Sequence, residues 1–222
     1  MRTPEELAEL LSGDAREAAP WVKAAAAMGI PEAQTRLGRM HLEGEGVARD
    51  PSAAFRLFET AAGEGDSDAL NMLGRCYDQG WGVGIDKARA AACFARAAAA
   101  GHAWAQYNYG HALLDGDGAA QDQERAFAWY KQAADQGHFR AMNLVGRCLE
   151  QGWGVAADRA QARDWYRRSA EGGYYRGCYN YASLLAEAGE TGAAEMWLAR
   201  AQSLAPKPLP PLANPTRGSM SA

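Results

Sequence analysis

Small and apolar residues recur along this chain with a period of 36 residues, and polar residues fill the positions between them. Small or apolar side chains occupy positions one, five, eight and nine, which lie on one face of a helix, with His41 at position nine of the first copy as a departure. A second set follows, with alanines at positions 22, 29 and 30 and large apolar side chains at positions 25 and 26. Four full copies begin at Ala33, Ala69, Ala105 and Ala141. The pattern predicts two helices in every copy, joined as a helical hairpin.

Glycine and aspartate residues mark the helix ends. A Gly-x-Gly after the first helix predicts positive φ angles that stop it, and an aspartate predicts the N-cap of the second helix. These residues are Gly44/Gly46, Gly80/Gly82, Gly116/Gly118 and Gly152/Gly154, followed by Asp50, Asp86, Asp122 and Asp158. The C-terminal stops of the second helices are Gly65, Gly101, Gly137 and Gly173. Position six of the first helix is also glycine, at Gly38, Gly74, Gly110 and Gly146. Because glycine inside a helix costs about 1 kcal/mol relative to alanine, its recurrence predicts a closely approaching helix backbone.

The two ends of the chain depart from the full repeat. Residues 18–32 resemble a second helix alone, which Pro20 either kinks or starts. Before them, Thr3-Pro4-Glu5-Glu6 is a capping box that predicts a short capping helix within residues 1–17, ending near Leu11. The fifth copy, residues 177–204, has a shortened loop and is expected to close the stack. Residues 205–222 are rich in Pro, Ser, Asn and Gly, which predicts a disordered tail.

A repeat of this length predicts a solenoid, in which each hairpin buries its apolar face only against its neighbours. The expected organisation is one elongated body over residues 18–204. Its parts are the half repeat 18–32, the repeats 33–68, 69–104, 105–140 and 141–176, and the cap repeat 177–204. The fold class predicted from the residues is therefore all-α.

Residues Ala69 to Gly101 nearly spell a known pattern, Ala-x3-Leu-Gly-x2-Tyr-x2-Gly-x-Gly-Val-x2-Asp-x3-Ala-x3-aromatic-x2-Ala-Ala-x2-Gly. It resembles the Sel1-like repeat, a relative of the tetratricopeptide repeat. The 36-residue unit and the Gly-x-Gly loop favour Sel1, because the tetratricopeptide unit has 34 residues and a tighter turn. The resemblance covers about residues 18 to 204. It implies a right-handed α/α superhelix that acts mainly as an adaptor or scaffold in protein complexes.

Composition narrows the expected partners. The net charge is −4, which favours neither nucleic acid nor an anionic membrane as a partner. The apolar runs are far shorter than the ~20 residues of a membrane helix, and the first residues lack the features of a secretory signal. A cytoplasmic protein, of bacterial type by its resemblance, is therefore expected. The four cysteines include no Cys-x-x-Cys pair, and they are interpreted as small buried thiols, as at Cys76 and Cys148.

The sequence predicts no catalytic residue, metal site or cofactor. It contains no H-E-x-x-H motif, no carboxylate-rich calcium loop and no nucleophile motif. His102 and His138 share one repeat position and are interpreted as surface histidines. The expectation is a protein without enzymatic activity.

A polar stripe on the first helices, expected to be exposed, is the candidate partner site. We define the first-helix stripe as positions three and seven of each copy, which are Thr35, Arg39, Asn71, Arg75, Tyr107, His111, Asn143, Arg147, Tyr179 and Ser183. Arginine forks bind carboxylates bidentately, asparagine amides bind a peptide backbone, and tyrosines add rigid contact area. The alternative is local pairing, of Arg39 with Glu43, Arg75 with Asp78 and Arg147 with Glu150.

Two tryptophans add a second candidate. Trp81 and Trp153 lie in identical Gln-Gly-Trp-Gly-Val loops, Gln79 to Val83 and Gln151 to Val155. Tryptophan is enriched among the residues that dominate binding energy, so each is a possible interface anchor. The alternative is that each indole closes the core of its own hairpin as a lid.

These observations favour a non-enzymatic adaptor that binds a protein or peptide segment along a groove lined by the first helices. We expect a monomer or a weak homo-oligomer. One alternative is a self-associating assembly factor. Another is a hydrolase of cell-wall or β-lactam material, against which the missing nucleophile motif and the absence of closely spaced cysteine pairs both argue. The resemblance to short bacterial proteins also suggests a link with iron uptake, which no residue of this chain supports.

Overall fold

The computed structural model describes residues 15–212, and within this range the chain forms eleven α-helices and no β-strand. In chain order, α1 to α11 are Ala15–Ala27, Pro31–Glu43, Pro51–Gly63, Ser67–Gln79, Lys87–Ala99, Ala103–Asp115, Gln123–Asp135, Phe139–Gln151, Arg159–Glu171, Tyr175–Glu187 and Thr191–Leu204. The even-numbered helices α2 to α10 are the first helices of their repeats, and the odd-numbered ones are second helices. The predicted all-α repeat fold is confirmed.

The chain divides into two compact units, Met1–Gln121 and Asp122–Ala222. The first unit contains α1 to α6, and the second contains α7 to α11. Within each unit, every helix packs against the next one along the chain. First helices also contact the next first helix, α2 against α4 in one unit and α8 against α10 in the other. Each unit is thus a stack of helical hairpins.

The Gly-x-Gly loops have the predicted left-handed backbone, and they also join successive repeats. Gly80 ends α4 with a φ of 73°, and Gly82 follows with a φ of 72°. A Cβ atom on Gly82 would overlap the backbone carbonyl of Pro51, the first residue of α3 in the preceding repeat. Gly154 lies in the same way against the carbonyl of Gln123, the first residue of α7. The second glycine of the loop is therefore required by both backbone conformation and space.

The predicted N-caps of the second helices are confirmed. Each aspartate side chain accepts a hydrogen bond from the backbone N–H three residues further on, at 2.9 to 3.0 Å. The four donors and acceptors are Ala53 to Asp50, Arg89 to Asp86, Arg125 to Asp122 and Gln161 to Asp158. The caps fix where each second helix begins.

We expect Asp86→Ala to lower the free energy of unfolding by about 1 kcal/mol, because the amide of Arg89 loses its acceptor. Asp86→Asn keeps an acceptor at the same place and is the matched control, with little change expected. Urea unfolding of both variants, followed by circular dichroism, measures the difference. Equal destabilisation of the two variants would contradict a capping role for this side chain.

The glycine at position six packs against an aromatic ring. A Cβ atom on Gly74 would lie 2.6 Å from Cε1 of Phe94, and one on Gly146 would lie 2.7 Å from the ring of Tyr166. Gly38 faces Phe58 in the same manner. The close approach predicted from the sequence is therefore present, but the group that approaches is chiefly the position-26 ring of the same repeat. The helix backbone contributes a more distant contact, from the carbonyl of Ala90 at 3.2 Å.

The core of each unit is built from alanines, these aromatic rings and the cysteines. Phe58, Tyr130 and Tyr166 are completely buried. All four cysteines are free and buried, as predicted for small core thiols. Burial raises the pKa of both Cys76 and Cys148 to about 11, so these thiols stay protonated at neutral pH.

The two ends of the described range lie outside the four full repeats. Pro20 lies inside α1, which begins five residues earlier at Ala15. The expected capping box at Thr3 and helix end near Leu11 lie outside the described residues. At the other end, α11 follows a short loop, and Trp197 packs edge-to-face on Tyr181 with ring centroids 5.5 Å apart. Residues 205–212 contain no helix, and the remainder of the tail lies outside the described residues. No helix between residues 15 and 212 combines the length and apolarity needed to cross a membrane.

Candidate functional site

Position three of the first-helix stripe is buried in three of its five copies. Thr35, Asn71 and Asn143 are only 4%, 5% and 3% exposed, so their interpretation as exposed side chains is wrong. The reason is that position three of one first helix faces the next first helix. The side-chain oxygen of Asn71 accepts a hydrogen bond of 2.9 Å from Asn108, and that of Asn143 accepts one of 2.8 Å from Asn180. Thr35 donates to Asp66 at 2.7 Å. Tyr107 and Tyr179, at the same position, are half-buried.

Position seven carries the exposed arginines Arg39, Arg75 and Arg147. The guanidinium of Arg75 lies over the ring of Trp81, with its Cζ atom 4.8 Å from the ring centroid. That of Arg147 lies over the ring of Trp153 in the same way, at 5.0 Å. We call each combination an Arg–Trp pair. Both indoles are half-buried, and each one has an arginine over one face of its ring. The two candidate features of the sequence, arginine and tryptophan, are thus brought together.

Two of the carboxylates proposed as local partners of the arginines, Asp78 and Glu150, accept hydrogen bonds from further groups. Asp78 accepts hydrogen bonds from Lys87 at 2.7 Å and from Gln79. Glu150 accepts one of 2.7 Å from the hydroxyl of Tyr166. Arg39 donates to Asp68 on α4, the next first helix, at 3.1 Å. The polar groups of this face therefore serve mainly to connect helices.

A chain of polar contacts joins α2, α4 and the start of α6 in the first unit. Asp68 lies between Arg39 and His102, whose Nε2 is 2.7 Å from the same carboxylate oxygen. The other ring nitrogen of His102 accepts from the amide of Ala105, so Nε2 carries the proton and donates to Asp68. His102 is therefore an N-cap rather than a surface histidine, and His138 caps α8 through Ala141 in the same way.

Beside this chain of contacts lies a cavity of about 330 Å³. Its lining residues are Glu32, Thr35, Arg36, Arg39, Asp66 and Asp68. Partial burial opposes ionisation of Asp68, but the bonds from His102 and Arg39 outweigh it and hold the pKa of this carboxyl below its ordinary value. Because the pKa of Asp68 is lower in the folded protein, its ionised carboxylate stabilises the fold at pH values above the ordinary carboxyl pKa. This stabilisation is lost as the pH falls through the pKa of Asp68 in the folded protein.

Comparison with known families identifies the repeat. The family model described as Sel1 repeat matches residues 31–66, 67–102, 105–138 and 139–174, which is well over half of the chain. The chain belongs to the Sel1 repeat family. Proteins of this family are generally helical scaffolds for protein–protein interaction. The described hairpins agree with these boundaries, since α2 begins at Pro31, α4 at Ser67 and α8 at Phe139.

Several solved structures share the Sel1 fold. A Sel1 repeat protein from Oxalobacter formigenes is 27% identical, with a TM-score of 0.79 over 85% of this chain and 77% of its own. The protective antigen c5321 of uropathogenic Escherichia coli is 26% identical, with a TM-score of 0.76 over 89% of this chain but only 44% of its own. A putative Sel1 repeat protein from Klebsiella pneumoniae, at 24% identity, has a TM-score of 0.54 over 80% of this chain and 88% of its own. No curated protein matches at the same stringency.

One aromatic residue on a first helix of this Sel1 repeat protein was missed by the sequence analysis. Trp104, on α6, is 46% exposed, and its ring lies 6.2 Å from that of Tyr107. Tyr107 in turn meets the ring of His111 edge-to-face at 4.7 Å. The three rings follow one side of α6. Their spacing of three and four residues was a signal available in the sequence.

The described Sel1 repeats contain no group of three or more His, Cys, Asp or Glu side chains arranged to hold a metal ion. The side chains that their first helices leave accessible include arginine, tyrosine and tryptophan, which are groups that can bind another molecule without reacting with it.

Proposed function

We propose that this Sel1 repeat protein is a non-enzymatic adaptor that holds a segment of a partner polypeptide against its first helices. The single observation that supports the proposal best is the Arg–Trp pair, Arg75 on Trp81 and Arg147 on Trp153. Both arginines are exposed, whereas most other residues of α4 and α8 are buried. The exposed chemistry of these helices is therefore cationic and aromatic, and it suits a partner segment that carries carboxylates.

Stacking prepares each arginine for binding. An indole contacts the flat face of a guanidinium, whereas the N–H groups that bind a carboxylate lie in the guanidinium plane. Arg75 also lies 3.6 Å from the sulfur of Met72, a second contact that restricts the side chain. An arginine that is already ordered loses less conformational entropy when a partner binds. Tryptophan and arginine are also the residue types most enriched among the dominant contributors to interface energy.

The other residues of the first-helix stripe have supporting roles in this proposal. Tyr107, His111 and Tyr179 supply contact area beside the arginines, and Arg39 adds a further cation that a partner carboxylate reaches by competing with Asp68. The buried Asn71 and Asn143 hold neighbouring first helices in register through their amide bonds. Their effect on the partner is indirect, because they position the helices whose exposed residues contact it.

The compartment is part of the same proposal. Four free, buried thiols suit a reducing compartment, and the similar solved proteins are bacterial. We therefore assign the adaptor to the bacterial cytoplasm. A partner there is most simply sought among proteins with exposed acidic segments.

The test is selection from a phage-displayed library of random dodecapeptides on the immobilised chain. We expect the selected peptides to be rich in Asp and Glu, and R75A/R147A to weaken their binding about tenfold or more, since bonds to charged groups are lost. The melting temperature should shift by less than about 2 °C, because both side chains are exposed.

The matched control is R96A/R168A. Both residues are exposed arginines of second helices, and Arg168 also stacks on an indole, that of Trp165, at 4.7 Å. The control removes the same charge and should leave peptide binding unchanged. Peptides without acidic residues, or equal losses in the two double variants, would refute binding at the Arg–Trp pairs.

A further inference from the structure

A longer period of 72 residues is superimposed on the Sel1 repeat. Alternate repeats share residues that their neighbours lack: the loop Gln79–Val83 is identical to Gln151–Val155, and Tyr107-Asn108-Tyr109 is identical to Tyr179-Asn180-Tyr181. The intervening loops have an acidic residue where these have tryptophan, Glu45 in one and Asp117 in the other. Position three shows the same alternation from the second copy onward, with Asn71 and Asn143 alternating with Tyr107 and Tyr179.

Each set folds into the same arrangement within its own unit. In the first unit, Asn108 of α6 donates to Asn71 of α4 at 2.9 Å, and Arg75 stacks on Trp81 at 4.8 Å. In the second unit, Asn180 of α10 donates to Asn143 of α8 at 2.8 Å, and Arg147 stacks on Trp153 at 5.0 Å. The corresponding distances agree within 0.2 Å. A tyrosine precedes the donor asparagine in both, as Tyr107 and Tyr179.

The two tryptophan loops are also held in the same way. The amide of Trp81 donates to the carbonyl of Cys76, and that of Trp153 donates to Cys148, both at 3.0 Å. On the far side, Gly82 and Gly154 abut the first residue of a second helix of the preceding repeat. The loop backbone that carries each tryptophan is therefore held on both sides, so the likeness extends beyond single side chains.

We infer that each unit carries one copy of the same site, so that one chain binds two copies of one acidic peptide motif. This inference rests on the proposed function and adds the number of sites and their ligand. Arg75 and Arg147 bind a carboxylate of the motif, and Trp81 and Trp153 support them. The half-buried Asn108 and Asn180 offer an amide oxygen to the peptide backbone.

The charge around each arginine favours a carboxylate over a phosphate. Asp78 follows Arg75 by three residues, and Glu150 follows Arg147 by three, so each of these arginines has a carboxylate nearby in the sequence. A carboxylate brings a single negative charge, whereas a phosphate brings closer to two at neutral pH. The second charge would be repelled by the neighbouring carboxylate at a site with only one arginine.

The experiment is a titration of the full chain, labelled with ¹⁵N, with the acetylated and amidated tetrapeptide Asp-Glu-Asp-Glu. The indole N–H signals of Trp81 and Trp153, assigned with W81F and W153F, report on the two sites separately. We expect both signals to shift, with dissociation constants that agree within about threefold because the sites are equivalent. In R75A the dissociation constant at the Trp81 site alone should rise, about tenfold or more. In R147A the dissociation constant at the Trp153 site alone should rise by a similar factor.

Each result decides between the proposals. A saturable shift at one indole only would overturn the two-site inference and leave the adaptor function standing. Shifts at neither indole, or shifts that R75A and R147A leave unchanged, would overturn binding at the Arg–Trp pairs altogether. The R96A/R168A variant should behave as the parent, and a change there would equally contradict these sites. Inorganic phosphate should give no saturable shift, and binding as tight as that of the tetrapeptide would overturn the choice of ligand.

Discussion

Gly82→Ala is expected to lower the free energy of unfolding by about 4 kcal/mol, the largest effect of any substitution we consider. Two causes add. The φ angle of Gly82 is +72°, a left-handed conformation that costs an alanine about 1–2 kcal/mol. The new Cβ would also overlap the carbonyl of Pro51 and Cα of Ser52, both backbone atoms that cannot rotate away. The loop must then move away from the start of α3, and the contact between two repeats is lost.

Two other glycines separate these causes in equilibrium urea unfolding. Gly101 has a φ of +88° but no atom within 4 Å of an added methyl group, so G101A tests the backbone cost alone, about 1 kcal/mol. Gly84 has neither a positive φ nor a neighbour within 4 Å, and G84A should change stability by less than about 0.5 kcal/mol. If G82A were no more destabilising than G101A, the loop would not be packed against the preceding repeat. G154A should behave like G82A, since Gly154 abuts Gln123.

The helices could be predicted from the sequence because their ends depend on local chemistry. An aspartate that caps its own helix, or a glycine with a left-handed backbone, acts within a few residues of itself. Asp86 therefore located the start of α5 at Lys87, and Gly80 located the end of α4 at Gln79. Residues 18–32 were predicted as a lone second helix from their likeness to the later copies, and α1 of the structure begins three residues earlier, at Ala15.

The candidate site could be predicted only in part, because exposure depends on how successive hairpins pack. Position three of a lone helix such as α4 faces away from its own hairpin, and the sequence pattern of one repeat suggests that it is exposed. Asn71 is buried because α6 of the next repeat covers it and supplies Asn108 as its partner. That arrangement depends on the angle between first helices, which the residues of a single repeat do not specify.

The partners of ionic side chains were harder still to predict. Arg39 bonds to Asp68, which is 29 residues away in the sequence, rather than to the nearby Glu43 expected from helical spacing. His102 was interpreted as a surface residue from its place on the turn between repeats, and its second contact, Asp68, lies on the preceding first helix. Contacts between successive first helices decide both cases, and they become visible only when the hairpins are packed.

Gly74→Ala is expected to lower the free energy of unfolding by about 2 kcal/mol, because its methyl group would lie 2.6 Å from the ring of Phe94. Phe94 is itself only 6% exposed and has little room to move. Gly63→Ala is the matched control: Gly63 is the last residue of α3, and no atom lies within 4 Å of its added methyl group. Since alanine favours helix over glycine, G63A should instead be neutral or stabilising by up to about 1 kcal/mol.

The double variant G74A/F94L isolates the contact between methyl group and ring. Phe94→Leu alone should destabilise by about 1–2 kcal/mol, since a smaller side chain leaves space in the core. Together the two changes should cost about 1–2 kcal/mol less than the sum of their separate effects, because the leucine leaves room for the new methyl group. Strict additivity in urea unfolding would mean that glycine is needed at position six for another reason. In Gly38/Phe58 and Gly146/Tyr166, too, the ring occupies the space that a Cβ atom on the glycine would need. The recurrence of these pairs would then need a separate explanation.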